Sequence, residues 1–424
     1  MAKTITGKQV GDSYYRVEHP SGLTVLLYPK EHCSTTYAIF GTRYGSIDNC
    51  FQRSDEAGPE SVPEGIAHYL EHKLFESEEG DAFERFSKTG ASANAFTSFE
   101  STCYLFSTTD QVYQSLEILL DFVQSPYFTE ETVRKEQGII GQEIKMYDDD
   151  PQWRVMFNYL KAMYHSHPIR EDIAGTVESI AKITPELLYR CYNTFYNLGN
   201  MVLAIAGNFQ VDKALAVCDK MLKPAAPVTV QRVFPQEPDT IVQPVVEERL
   251  SVASPLFQFG FKEPGADQPR SEKDVAATEV LLETLASDAS PLFRRLLDQG
   301  LVNESSFSYE YFEGNGYATV MFSGESKDPQ AVAQAILEEV ERFQREGIPA
   351  EAFERSKRAL YGELVAALNS TGSIANGLVN MHLKGRELFT YIDSLASLRL
   401  EDGEERLRKV FQRERSVLSV ILPH

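Results

Sequence analysis

His68 and His72 lie four residues apart, a spacing that on a helix puts two imidazoles on one face where they can chelate a single ion. Glu71 follows His68 by three residues on nearly the same face. It can take a proton from water held at such an ion without being a ligand. Zinc in a hydrolytic site uses three protein ligands and keeps one position for water, so a carboxylate must come from elsewhere in the chain. Glu136 and Glu143, in Lys135–Ile144, are seven residues and thus two helical turns apart, so one can ligate while the other supports it. A bare HxxEH occurs by accident on surface helices, and this downstream pair is what gives it weight.

These residues need elements to hold them. Apolar residues recur at helical spacing over Glu64–Phe75 and Gln111–Ser125, and a longer helix is expected from about Thr129 to Tyr147. It should stop at Asp148-Asp149-Asp150, because Pro151 disfavours helical geometry before it, and the acidic triplet reads as a solvated terminus. Leu23–Tyr28 and Tyr37–Phe40, within Tyr14–Asp48, alternate in the manner of two antiparallel strands.

Prolines at 224, 227, 235, 238 and 244 mark a linker near mid-chain, giving a metal-binding domain over 1–225, a linker over 226–244 and a second domain over 245–424. The halves read as diverged copies. Phe83–Gly90 matches Phe293–Gly300, Tyr104–Ser107 matches Val320–Ser323, and Glu131–Ile144 lies over Glu351–Leu364 without gaps; each half closes on a similar strand, Met201–Ile205 and Ser416–Ile421. The expected fold is α+β: two homologous α/β sandwiches facing one another across a chamber. Counting back from Phe293 as His68 stands from Phe83, the second copy carries Thr278, Leu281 and Leu282 where the first has His68, Glu71 and His72. One metal per chain follows.

A chain of 424 residues, 42% hydrophobic and 11% aromatic, is long and apolar enough for two cores. Its formal charge of -21 repels phosphates and anionic surfaces, which argues against nucleic acid and membranes as partners. No signal-length or membrane-length apolar run is present, so a soluble, cytoplasmic protein is expected. Five cysteines, never in a CxxC pair, suggest neither a disulfide framework nor a thiolate zinc site. His165 and His167 lie far from any second ligand pair and read as loop or packing residues.

With these residues in view, the chain resembles the inverted-motif (HxxEH) metallopeptidases, the inverzincins that include pitrilysin, insulysin and the mitochondrial processing peptidase. In that family the third ligand is a glutamate some seventy residues past the second histidine; here 143 minus 72 gives 71. The resemblance implies one Zn2+ held by His68, His72 and Glu143, with Glu136 behind the ligands and Glu71 as general base, the chemistry of a zinc endopeptidase. Gly90–Ser98 and the stretch from His167 through Gly175–Ile180 to Gly207-Asn208 match the family too. By the same likeness Ala93, Asn94, Ala95, Phe96 and Thr97 form an exposed strand edge to which an unstructured peptide adds, Asn94 helping to place the scissile amide. The competing expectation is a strand paired on both sides.

The chain departs from the family in one respect. Relatives usually carry an arginine four residues before the second-half turn glycine and a tyrosine three after it; here those positions are Leu296 and Asn303. Arg294, Arg295 and Tyr309 are near but displaced, and a displaced side chain on a helix points elsewhere. The resemblance then implies a processing-peptidase-like catalytic subunit, with a homologous zinc-less subunit supplying the missing pair, or otherwise a homodimer. A structural or regulatory subunit without activity is the competing class.

Overall fold

The alternating segments Leu23–Tyr28 and Tyr37–Phe40 do become strands of one sheet, but they are not neighbours. In the computed structural model, which describes residues 2–424 apart from 79, 225, 227 and 266, the first sheet has seven strands. They are β1 (Ala2–Gly7), β2 (Asp12–Glu18), β3 (Thr24–Pro29), β4 (Thr36–Thr42), β5 (Ser92–Thr97), β6 (Thr102–Thr108) and β7 (Met201–Gly207), in the order β1-β2-β3-β7-β4-β6-β5. β7 separates β3 from β4, parallel to the first and antiparallel to the second. Its uninterrupted run Val202–Ala206 is buried throughout, as a strand covered on both faces requires.

The second sheet repeats the arrangement. Its strands are β8 (Val245–Leu250), β9 (Leu256–Lys262), β10 (Ser308–Gly314), β11 (Tyr317–Glu325) and β12 (Ser416–Pro423), in the order β8-β12-β9-β11-β10. β8 and β12 are parallel and the remaining pairs antiparallel, so these five correspond one for one with β3, β7, β4, β6 and β5. Gly90 (φ 73°) and Gly300 (φ 59°), the two aligned turn glycines, both take the left-handed conformation that ends a helix. The fold is therefore α+β with an internal repeat.

Six helices carry the rest of the argument: α1 (Ile66–Leu74), α2 (Glu130–Asp148), α3 (Pro151–Met163), α4 (Glu272–Ala286), α5 (Ala350–Ala367) and α6 (Thr371–Leu383). α2 ends as the proline rule requires. Asp150, expected to be merely solvated, instead caps α3, accepting from the amides of Gln152 (2.8 Å) and Trp153 (3.2 Å).

Two compact units result, one of Met1–Ile144, Asp172–Val233 and Val365–Thr390, the other of Lys145–Glu171, Phe234–Leu364 and Tyr391–His424. The strands of each sheet come from one half of the chain, whereas α3 and α6 come from the opposite half. Within the first unit α6 covers β7 and β4, with Asn376 Nδ2 donating to the Tyr37 hydroxyl at 3.2 Å. Within the second, α3 covers β12 and β9, and the hydroxyls of Tyr159 and Thr319 meet at 2.6 Å. The stretch expected as linker, 226–244, is in part structured: Val230–Arg232 pairs antiparallel with Cys50–Arg53, and Arg232 Nε donates to buried Asp48 at 2.6 Å. Pro227 lies outside the described residues. Among the described residues no helix is long and apolar enough to cross a membrane.

Candidate metal centre

α1 starts at Gly65, whose φ of 85° is left-handed and whose Cβ, if it had one, would meet the Ala174 carbonyl oxygen at 2.2 Å. Only glycine lets the chain turn there. Ile66, Ala67, Tyr69, Leu70 and Leu74 go into the core, which leaves His68, Glu71 and His72 on the other side. The Tyr69 hydroxyl donates to the Val133 carbonyl of α2, tying the two helices together. On α2, Val133, Glu136, Ile140 and Ile144 form the buried stripe, so Glu136 faces inward, and Glu143 stands one residue before Ile144, the last member of that stripe.

The histidines and the second glutamate converge. Nε2 of His68 is 3.6 Å from Oε1 of Glu143, and Nε2 of His72 is 3.4 Å from Oε2 of the same carboxylate. One donor atom from each of the three residues lies within 4.8 Å of the others. Bonds of about 2.0–2.1 Å to a tetrahedral ion put ligand atoms roughly 3.3 Å apart, so both histidine–carboxylate separations are near what such an ion would need. Nδ1 of His72 donates to Glu136 Oε1 at 3.0 Å, which turns the Nε2 lone pair toward Glu143. Nδ1 of His68 is buried without a hydrogen-bond partner among the described residues. The donor set, two imidazoles and a carboxylate, suits zinc.

Electrostatics separates the two imidazoles. Burial pushes the His68 pKa down to about 3, with His72 adding to the effect, so His68 is neutral and ready to ligate. Burial also acts to lower His72, but the hydrogen bond to Glu136 and the charges of Glu143 and Glu71 outweigh it and raise the pKa. Burial lifts Glu71 above the ordinary carboxylate range, partly offset by a hydrogen bond from Thr97 and by the charge of His72. A carboxylate raised in this way is a better proton acceptor.

Glu71 also contacts the neighbouring strand. β5 is the last strand of its sheet, paired with β6 on one side. Ala93, Ala95 and Thr97 share a strand face, and Ala93 and Ala95 pack against the first core, small enough for α1 to sit close above them. Thr97 Oγ1 donates to Glu71 Oε2 at 2.5 Å. Asn94 is exposed, its Oδ1 accepting from the Ala95 amide at 2.9 Å, and Phe96 is half-buried. Spacing alone could not reveal the Thr97–Glu71 contact; the small-residue alternation at 93, 95 and 97 was the available signal.

In the second unit, Leu296 is fully buried and Asn303 is a turn residue, its Oδ1 accepting from the amides of Ser305 (3.1 Å) and Ser306 (2.9 Å). Tyr309 donates to Glu283 at 2.5 Å, and Arg295 to the Ala335 carbonyl at 2.8 Å. Arg294 is exposed and lies 3.4 Å from Asp298. His167 is buried, its Nδ1 accepting from the Ile169 amide and its Nε2 meeting the Asn315 carbonyl at 2.9 Å, the packing role expected of it.

Residues 60–177 match the insulinase (peptidase family M16) domain and residues 182–360 the peptidase M16 inactive domain. The chain is 39% identical to the uncharacterized zinc protease YmfH of Bacillus subtilis (strain 168) over 428 residues, covering all of both chains. It superposes on an M16-like peptidase from Alicyclobacillus acidocaldarius with a TM-score of 0.91 at 35% identity, over 100% of this chain and 98% of that one. On pitrilysin the TM-score is 0.75 at 15% identity, over 99% of this chain and 46% of that one, a likeness of fold. With full-length similarity to a zinc protease on one side and a converging His-His-Glu set on the other, the chain belongs to the M16 (insulinase) family of metallopeptidases.

Proposed function

We propose that this chain is a zinc-dependent endopeptidase acting on unstructured peptides or precursor segments. The observation that carries the reading is the convergence of His68 Nε2, His72 Nε2 and Glu143 on one point, with Glu71 on the same helix face. These three residues would hold the zinc. When bound, zinc supplies Lewis acidity, making water a nucleophile near neutral pH and polarising the peptide carbonyl. Glu71 takes the proton from the attacking water and returns it to the leaving amine. Glu136 keeps His72 in the tautomer that ligates. The free edge of β5, Ala93 to Thr97, accepts the substrate backbone as an added strand, with Asn94 beside it, so extended peptides fit better than folded proteins.

Leu296 in the core and Asn303 in its turn provide no cationic or phenolic substrate contact, and this supports a second part of the reading. The chain works as the catalytic subunit of a heterodimer in which a zinc-less homologue supplies an arginine and a tyrosine.

The test is metal analysis of the purified chain beside hydrolysis of an unstructured peptide pool, with and without chelator, with the zinc-less homologue added in a parallel arm. One zinc per chain with chelator-sensitive cleavage supports the peptidase. Cleavage appearing only with the homologue supports the heterodimer, and full cleavage by the chain alone removes that second part. No zinc, or zinc without cleavage in either arm, overturns the reading in favour of a structural subunit.

A further inference from the structure

Building on the peptidase reading, we propose that Thr97 is a positioning residue for the general base: its hydroxyl clamps one carboxylate oxygen of Glu71 and so leaves the other free to face water. Thr97 would then serve catalysis through its side chain as well as through the strand edge.

The hydrogen-bond pattern fixes the direction of the clamp. Thr97 Oγ1 has two oxygen neighbours, Glu71 Oε2 at 2.5 Å and Thr102 Oγ1 at 3.4 Å. A carboxylate oxygen accepts and Glu71 Oε2 is the nearer of the two by 0.9 Å, so the Thr97 proton goes to Glu71, while Thr102 gives its own to the Tyr44 carbonyl at 2.9 Å. Thr102 is buried and faces Thr97 in the β5–β6 register, which holds the Thr97 side chain in place from the sheet side. The anchor is thus rigid sheet rather than loop. Glutamate has several rotatable bonds, and a hydroxyl held by a sheet removes that freedom before substrate arrives, which is the usual way a supporting group contributes to a proton transfer. A hydrogen bond to an ionised acceptor is also among the stronger neutral-donor contacts available. The hydrogen bonds of the Thr97 hydroxyl go to Glu71 and Thr102 and not to His68, His72 or Glu143, so its loss should spare the metal.

The test compares Thr97→Val, which keeps shape and loses the hydroxyl, with Thr97→Ser, which keeps the hydroxyl, and with Thr97→Ala should the valine variant fold poorly. Expected for Val or Ala is a fall in kcat of about 10–100-fold, with KM and zinc content unchanged, and recovery in Ser. Crystal structures should show Glu71 in one rotamer in the unmodified chain and in Ser, and turned or spread over several in Val. Full kcat in Val, a loss confined to KM and shared by Ser, or an unmoved Glu71 in the Val structure would each overturn the proposal. If the unmodified zinc-loaded chain cleaves nothing either alone or with the zinc-less homologue added, the peptidase reading fails, while the position of Glu71 across the structures still decides whether Thr97 holds it.

Discussion

The two copies share a frame of five strands, to which the first adds β1 and β2, and at the helix that could hold a metal they part at a few side chains. In the first, α1 presents His68, Glu71 and His72; the aligned positions of α4 are Thr278, Leu281 and Leu282. Leu281 and Leu282 are fully buried, and Thr278 donates to the Asp274 carbonyl at 2.7 Å while accepting from Arg406 Nε at 2.7 Å. The counterpart helix α5 keeps a carboxylate, Glu363, where α2 has Glu143, but has Ser356 where α2 has Glu136. A glutamate on the right helix is therefore insufficient. What distinguishes the first copy is the imidazole pair and the buried carboxylate hydrogen-bonded to it, and where these are missing the same helix face has become core.

The comparison breaks most sharply at Glu71 and His72. Glu71→Gln should retain zinc and lose about 10²–10⁴-fold in turnover, the usual contribution of a general base. His72→Leu, which installs the residue of the second copy, should lose both zinc and turnover, since a ligand goes with it. Metal content read beside initial rates separates the two. Equal zinc loss in both variants would mean that Glu71 is a ligand and the roles are misassigned.

Glu136→Ser copies the second unit at the residue behind His72. The expected cost is about 10–100-fold in zinc affinity or activity, because His72 loses the partner that sets its tautomer. Competition with a chromogenic chelator measures it, and an unchanged affinity would show that burial of the ring suffices without Glu136.

The backbone differs too. At the position of Gly65 the second copy carries Val275, inside α4 rather than before it, so the second helix begins earlier and needs no left-handed turn. Gly65→Ala should cost about 1–3 kcal/mol, from the left-handed φ and the collision with the Ala174 carbonyl. Gly138→Ala, exposed on α2 with nothing near its added Cβ, should stabilise by about 0.5–1 kcal/mol. Urea denaturation of both variants decides, and an equal response would remove the steric account of the turn.

What could be read in the sequence follows from the range of the interactions involved. His68, Glu71 and His72 were legible as a face because helical period is local. Glu136 and Glu143 were legible from spacing only as a pair, since two residues two turns apart share a face, and it took the resemblance to give them separate roles; in the structure Glu136 lies at Nδ1 of His72 and Glu143 at Nε2. The exchange of α3 and α6 between units was hidden: amphipathic spacing says that a helix buries a face, not which sheet receives it. The neighbours of β3 were hidden for the same reason, because β7, which starts 172 residues after the end of β3, sits between β3 and β4.

The smallest expected effect concerns acid stability, and it probes whether the second unit carries a pH limit of its own. Burial pushes His167 down to about 4, against an ordinary value near 6.5. Above pH 6.5 the ring is neutral in folded and unfolded chain alike and makes no difference. Between 6.5 and 4 the unfolded chain binds a proton that the folded unit refuses, so stability falls with falling pH across that window and levels off below it. His167→Asn, whose Oδ1 stands where Nδ1 does, can still accept from the Ile169 amide but does not titrate, so in chelator-treated protein it should flatten the decline from pH 6.5 to 4. Thermal midpoints measured at steps across that range check the slope. An identical decline in the variant would assign the acid limit to the first unit, where burial likewise drives His68 to about 3 and His382 to about 4.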